Sequence, residues 1–303
     1  MTHQVHLWRS LPHLSEVTYS FTKDWANDQL SRISDRHELL SDPNNVIPDQ
    51  SDLPRFETIS SALRTNPGFV LIRPGSDYQD DDLRQLYALF GRSIGQINDR
   101  YGYFFDVIDQ GLDYTKAAIP VSKTKASTGY HTDSTAREYV PDVVGLLCLH
   151  PGFRGGESLI TNAANAYELI RRDNPKSLDE LEKPVIRDVI TPGSENSTAA
   201  ILENTFPVFQ VNEDGFLFRY MRYWIESAHA KTSKELPVYL KQGMDTIDEF
   251  FSREDNTVEF RMERGDMLFL NNRFLCHNRR AFEDHPAMPS RRLVRSWINF
   301  ENS

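Results

Sequence analysis

Residues 130–140 read GYHTDSTAREY and contain the triplet His131-Thr132-Asp133. On an extended segment, residues i and i+2 point to the same face, so His131 and Asp133 can aim a ring nitrogen and a carboxylate oxygen at one ion. Two ligands do not hold a metal tightly, and a third has to come from elsewhere. His277, just beyond the apolar run DMLFLNN, offers it. Two histidines and one carboxylate cover one face of an octahedron and leave three positions open for exchangeable ligands. A closed structural zinc site would instead want four protein ligands, often cysteines, and no such set is arranged here. The triplet by itself is weak. The chain has 9 His and 44 Asp plus Glu, so an H-x-D arises readily by chance, and the alternative for His277 is a satisfied buried histidine beside Cys276.

A second group strengthens the reading. Arg291, Arg292 and Arg295 alternate with Leu293 and Trp297 in PSRRLVRSW. A cluster of arginines is usually a solvated face. In a strand, however, at least one of these must point inward, and a buried guanidinium calls for an anionic partner. Arg291 shares its face with Leu293, Arg295 and Trp297, and is preferred. A register slip of one residue would exchange it for Arg292. Ser158 in GGESLIT reads as a strand serine. Arg219, Tyr220 and Arg222 in FRYMRYW are candidates for a substrate pocket or plain surface.

The elements that must position these residues can be read from periodicity. GFVLIRPG (68–75) is a short apolar strand bounded by Gly and Pro. DDDLRQLYALFGRSIG follows as an amphipathic helix, with Leu83, Leu86, Tyr87 and Phe90 on one face and acids at its start. PDVVGLLCLH (141–150) and GGESLIT (155–161) read as strands, and 162–172 as a helix capped by Thr161 or Asn162. A helix spans roughly 236–253, with Leu240, Met244, Ile247 and Phe251 on one face. TVEFRME, DMLFLNN and LVRSWINF (293–300) are strands. The stretch 187–209 has few regular signals, and a loop this long suits a cover over a site. Asn196-Ser197-Thr198 is formally a glycosylation sequon and carries little weight. Residues 1–55 are polar and expected to wrap the surface, with their few aromatics pointing to partial docking. The β-rich C-terminal third fits a sandwich or small barrel.

Bulk properties bound the function classes. The chain has 303 residues, 39% hydrophobic and 26% charged, which is ordinary for a globular protein and long enough for one large domain. A formal net charge of −10 argues against a nucleic-acid surface, which wants clustered Lys and Arg. No run of eighteen apolar residues reads as a membrane span, and the N-terminus does not read as a signal peptide. Cys148 and Cys276 are too few for a disulfide framework and are expected as buried free thiols. A cytoplasmic location is the default, and the oligomeric state is open.

With these residues in hand, a resemblance becomes specific. Over about residues 65–300 the chain resembles the Fe(II)/2-oxoglutarate-dependent dioxygenases of the taurine dioxygenase (TauD/TfdA)/clavaminate synthase-like superfamily. GFVLIRPG with its following helix, GYHTDST, GGES, and GDMLFLNNRFLCHNRRAF followed by RRLVRSW carry it, in the family's order. The resemblance implies a single domain over 1–303, with an N-terminal extension at 1–60 and a core at 65–300. It implies an α+β fold, mainly β, built on a double-stranded β-helix (jelly roll, cupin-like) with flanking helices. It implies that His131, Asp133 and His277 ligate Fe(II), that Arg291 and Ser158 hold the distal carboxylate of 2-oxoglutarate, and that Arg295 faces an acidic group of the substrate. The implied reaction uses O2, releases succinate and CO2, and hydroxylates an unactivated C–H bond of a small, anionic or amino-acid-like molecule. Desaturation and epoxidation are open to the same oxidant. Halogenases of this family replace the carboxylate ligand by a small residue, so Asp133 speaks against halogenation. A zinc hydrolase or a non-catalytic β-sandwich binding protein are the readings from other classes. No nucleic-acid or membrane partner is expected.

Overall fold

The apolar runs expected as strands form the centre of one large sheet. The computed structural model describes residues 6–33, 35–46, 53–109, 111, 124–188, 197–213 and 215–301. The strands that matter for the site are β1 (Thr18–Phe21), β2 (Phe69–Pro74), β3 (Gly95–Ile97), β4 (Phe105–Ile108), β5 (Val143–His150), β6 (Ser158–Asn162), β7 (Thr257–Phe260), β8 (Met267–Asn271), β9 (Leu275–Arg279) and β10 (Arg292–Phe300). The large sheet runs β1-β2-β8-β5-β10-β3, with β4 also paired to β10. A smaller sheet runs β7-β6-β9. Every pairing in both is antiparallel except β1 with β2.

Register explains why the central strands are apolar on both faces. Leu71, Leu268, Leu146 and Arg295 are cross-strand neighbours along one row, and Phe69, Leu270, Val144 and Trp297 along the next. These rows face the smaller sheet. The intervening rows, including Ile72, Met267, Leu147 and Val294, face the other way. There they pack against helices α1 (Lys23–Arg32), α2 (Leu53–Arg64) and α3 (Asp80–Ile94) through Leu30, Ile59, Leu83, Leu86 and Phe90. A strand covered on both sides has no solvent face, so its sequence shows no alternation. The smaller sheet is backed by α4 (Ala163–Asp173), α5 (Pro175–Leu181) and α7 (Val238–Ser252), which follow and precede α6 (Arg222–Thr232) in the chain. The expected face of α7, Leu240, Met244, Ile247 and Phe251, is buried. Asn162 caps α4 by accepting from Ala164 N at 2.8 Å.

At Gly145 the Tyr87 side chain of α3 packs against the sheet. A Cβ there would lie 2.5 Å from Tyr87 Oη and 2.7 Å from Ser296 Oγ. Those two atoms share a buried 2.6 Å hydrogen bond. Gly145→Ala is therefore expected to break or displace that bond and to destabilise the protein by about 2 kcal/mol through overpacking. Thermal melting checks this, and an unchanged midpoint would contradict it.

Two expectations change. Residues 18–32 do more than wrap the surface. β1 adds a strand parallel to β2, and α1 buries Ala26 and Leu30. The segment 187–209 is not irregular where it is described. Val185–Ile186 pairs with Thr205–Phe206, and Thr198–Glu203 is a helix. Its centre, 189–196, with the sequon's Asn196, lies outside the described residues. Cys148 and Cys276 are buried free thiols, and burial pushes Cys148 up to about 12. Among the described residues no helix is long and apolar enough to cross a membrane.

Candidate active site

His131 lies outside the regular strands but pairs with β9 as an isolated antiparallel bridge. His131 N donates to His277 O at 2.9 Å, and His277 N donates to His131 O at 3.0 Å. Two residues that exchange both backbone bonds lie directly opposite and project their side chains to one side. The imidazole rings accordingly sit 4.3 Å apart, centre to centre. The preceding turn orients the first ring, whose Nδ1 lies 2.9 Å from Gly129 O. A ring nitrogen fixed on a backbone carbonyl leaves Nε2 as the free lone pair, the usual arrangement of a metal-binding histidine.

Asp133 is locked from below by Asn272, the residue after β8. Asp133 N donates to Asn272 Oδ1 at 2.8 Å, while Asn272 Nδ2 donates to Asp133 O at 3.1 Å and Pro141 O at 3.2 Å. The next residue, Ser134, takes a φ of +63°. This left-handed conformation is unfavourable for a residue with a side chain and turns the chain sharply away from the triplet. Ser134 Oγ donates to Tyr139 O at 2.5 Å, closing the turn.

The three side chains converge. Asp133 Oδ1 is 3.7 Å from His131 Nε2 and 3.8 Å from His277 Nε2. One donor atom from each residue fits within 4.8 Å of the others. Asp133 Oδ2 faces away, accepting from Trp297 Nε1 at 2.7 Å and pairing with Arg295 Nη1 at 3.0 Å. Burial alone would raise the Asp133 carboxyl. Arg295, His277, His131 and the Trp297 hydrogen bond outweigh it and hold the group at about 2. Burial, reinforced by the neighbouring His131, pulls His277 down to about 3, and burial also lowers His131. At neutral pH the site thus presents two neutral imidazoles and one carboxylate, the protonation states a divalent metal requires.

These shifts have a sign. Both histidines are harder to protonate folded than unfolded, so their contribution to stability is complete above the unfolded value of about 6.5 and lost as pH falls toward the folded values. For His277 the loss at pH 5 is about 2 kcal/mol. Denaturant melts of metal-free protein at pH 7 and pH 5 should show this loss, and His277→Gln should reduce it. Equal losses in wild type and variant would contradict it.

A cavity opens beside the triad between the two sheets, with about 590 Å³ of free space counting its solvent-open part. Leu146, Leu268 and Leu293 line it from the large sheet, and Ser158, Ile160 and Arg279 from the smaller. Arg291 and Arg295 border it as well. Arg292 turns outward and pairs with Asp106 at 2.7 Å. The Arg291 guanidinium is buried and stacks over Phe282 at 5.0 Å, but forms no ion pair among the described residues. Burial pushes it down to about 10, so it stays charged. Ser158 is buried on β6, opposite Arg279.

Arg219 and Arg222 do not border the cavity. Arg222 is engaged by Glu226, Asp245 and Asp248 at 2.7 to 2.8 Å. Arg219 donates to Arg137 O and Glu138 O, and so secures the chain that follows the triplet. These contacts engage both side chains away from that cavity. Arg295 is at the site, but its Nη1 holds Asp133. Sequence reasoning missed Asn272, the Trp297 contact and Arg279. The Asn271-Asn272 doublet ending an apolar strand was the available signal for the first, since buried amides need specific partners.

The chain is similar to several known proteins. FR-33289 synthase of Streptomyces rubellomurinus (strain ATCC 31215) is 30% identical over 63% of this chain and 56% of its own length. Uridine-5'-phosphate dioxygenase of a Streptomyces species is 29% identical over 58% of this chain and 63% of its own. The chain thus spans a little over half the length of these relatives. Asparagine oxygenase, solved with Fe(II), 2S,3S-3-hydroxyasparagine and succinate, superposes with a TM-score of 0.67 at 14% identity, covering 93% of both chains. The model of the taurine catabolism dioxygenase TauD, TfdA family matches residues 41–297. The chain belongs to that family.

Proposed function

We propose that the protein is an Fe(II)/2-oxoglutarate-dependent oxygenase that hydroxylates a C–H bond of a small, anionic or amino-acid-like metabolite. The observation that carries this reading is the convergence of His131, Asp133 and His277 beside a cavity bordered by a buried arginine, Arg291, that forms no ion pair among the described residues. The donor set suits Fe(II), being two neutral nitrogens and one carboxylate oxygen from one side. Arg291 suits a carboxylate, because its planar fork can donate two parallel hydrogen bonds to one. Ser158 would add a hydroxyl donor to the same carboxylate. Fe(II) bound with 2-oxoglutarate supplies, with O2, the oxidant for hydroxylation, and succinate and CO2 are the co-products.

The chain's own part is positioning. His131 and His277 hold their lone pairs together through the paired backbones. Asp133 offers one oxygen while the other is tied back. Arg291 and Ser158 set the depth of the co-substrate, and the leucines that line the cavity keep that end dry. The two sheets that enclose it fit a double-stranded β-helix, within one domain that includes the N-terminal strand. The relatives named above support a small polar substrate.

Succinate release tests it. Protein supplied with Fe(II), 2-oxoglutarate and air is expected to release succinate slowly alone and faster with its substrate among a panel of amino acids, nucleotides and small carboxylic acids. Release independent of iron, or none with iron, 2-oxoglutarate and O2 all present, would count against it.

A further inference from the structure

Asp133 is 5% exposed, yet its carboxylate divides its two oxygens sharply. Oδ1 faces the histidines. Oδ2 takes one N–H from Trp297 at 2.7 Å and one from Arg295 at 3.0 Å. Arg295 and Trp297 are two apart on β10, so both rise from the same face of that strand. The Arg295 guanidinium lies 5.3 Å from the Phe105 ring centre and 5.3 Å from that of Trp297. Two aromatic neighbours restrict the plane in which it can donate. Trp297 is itself braced by Tyr101, edge-on at 5.5 Å. The last torsion of an aspartate is soft and roughly two-fold, so packing alone does not choose which oxygen faces the metal.

We propose that Arg295 and Trp297 are positioning residues that restrict Asp133 to one-oxygen ligation and so keep coordination positions open for co-substrate and O2. This rests on the oxygenase reading above and assigns Arg295 a role other than anchoring substrate. Two effects of opposite sign act through Arg295. Its hydrogen bond orients the carboxylate and favours metal binding, while its positive charge opposes a second cation. Trp297 orients the same oxygen without a charge, so Trp297→Phe isolates the orienting effect. Partners that orient a ligand typically change metal affinity by about 10- to 100-fold when removed.

The test uses Co(II) as the probe metal in the full chain, with affinity read by chelator competition and coordination number by the visible d–d bands. Wild type is expected to bind one Co(II), and His277→Ala to lose it. Trp297→Phe is expected to bind about 10-fold more weakly, with weaker d–d absorption as the freed carboxylate adds its second oxygen. Arg295→Lys, which keeps a charged donor, is expected to recover more of the wild-type spectrum than Arg295→Gln. Thermal melts select variants that remain folded. If Trp297→Phe binds Co(II) with wild-type affinity and spectrum, the positioning role is wrong while the oxygenase reading stands. The same holds if Arg295→Gln alters only the KM of a substrate. If wild type binds no Co(II), or binds it without His277, the oxygenase reading itself fails.

Discussion

Asp133→Ala is expected to abolish turnover and weaken Fe(II) binding by about 10³-fold, or roughly 4 kcal/mol. The loss has two parts. The metal loses its only anionic ligand in the triad, and Arg295 and Trp297 lose the acceptor that satisfies them. Removing one partner of a buried, hydrogen-bonded charge pair leaves the other uncompensated, which typically costs about 3–5 kcal/mol. The metal-free variant should therefore also melt earlier than wild type. Asp133→Asn separates the two, because an amide keeps an acceptor oxygen for Trp297 but supplies no charge. It should recover part of the melting temperature and little of the activity. Retention of even a tenth of wild-type turnover by Asp133→Ala would contradict the metal assignment.

Arg291→Gln should raise the KM for 2-oxoglutarate by about 10²- to 10³-fold and leave Fe(II) affinity nearly unchanged. Hydrogen bonds to charged groups are worth about 1.5–3 kcal/mol each, and a fork makes two. The outward neighbour provides the control. Arg292 pairs with Asp106 at the surface, so Arg292→Gln should change KM less than about two-fold, as exposed ion pairs contribute little. Equal effects from the two substitutions would mean that the co-substrate does not sit where Arg291 borders the cavity.

Much of this site was legible before folding. The H-x-D triplet, a histidine past an apolar run and an arginine fourteen residues beyond it are short-range patterns, and short-range patterns survive in a sequence. The strands around them were equally readable, because length and apolar content mark them. What lies across from each strand was not. Nothing in GYHTDST says that His131 pairs with His277 through the backbone, since that register is set by a contact across more than a hundred residues. The parallel pairing of Thr18–Phe21 with β2 was hidden for the same reason.

The arginines show where residue-type reasoning runs out. Burial was expected to require an anion, yet Arg187 is fully buried on the carbonyls of Phe206, Pro207 and Arg219. Arg279 likewise donates to Thr124 O and Ala126 O. Carbonyl oxygens satisfy part of a guanidinium without neutralising it. Burial therefore does not single out Arg291. Arg279 also lines the cavity, and Arg291 differs from it in having, among the described residues, neither an ion pair nor a carbonyl acceptor for its guanidinium.

The most direct test is an anaerobic titration of metal-free protein, first with Fe(II) and then with 2-oxoglutarate, followed in the visible. Chelation of a 2-oxo acid at an Fe(II) held by His131, Asp133 and His277 gives a weak charge-transfer band. That band should appear in wild type, vanish in Asp133→Ala and need far more 2-oxoglutarate in Arg291→Gln. Fe(II) binding with no band at saturating 2-oxoglutarate would contradict the oxygenase assignment and leave a metal site with some other chemistry.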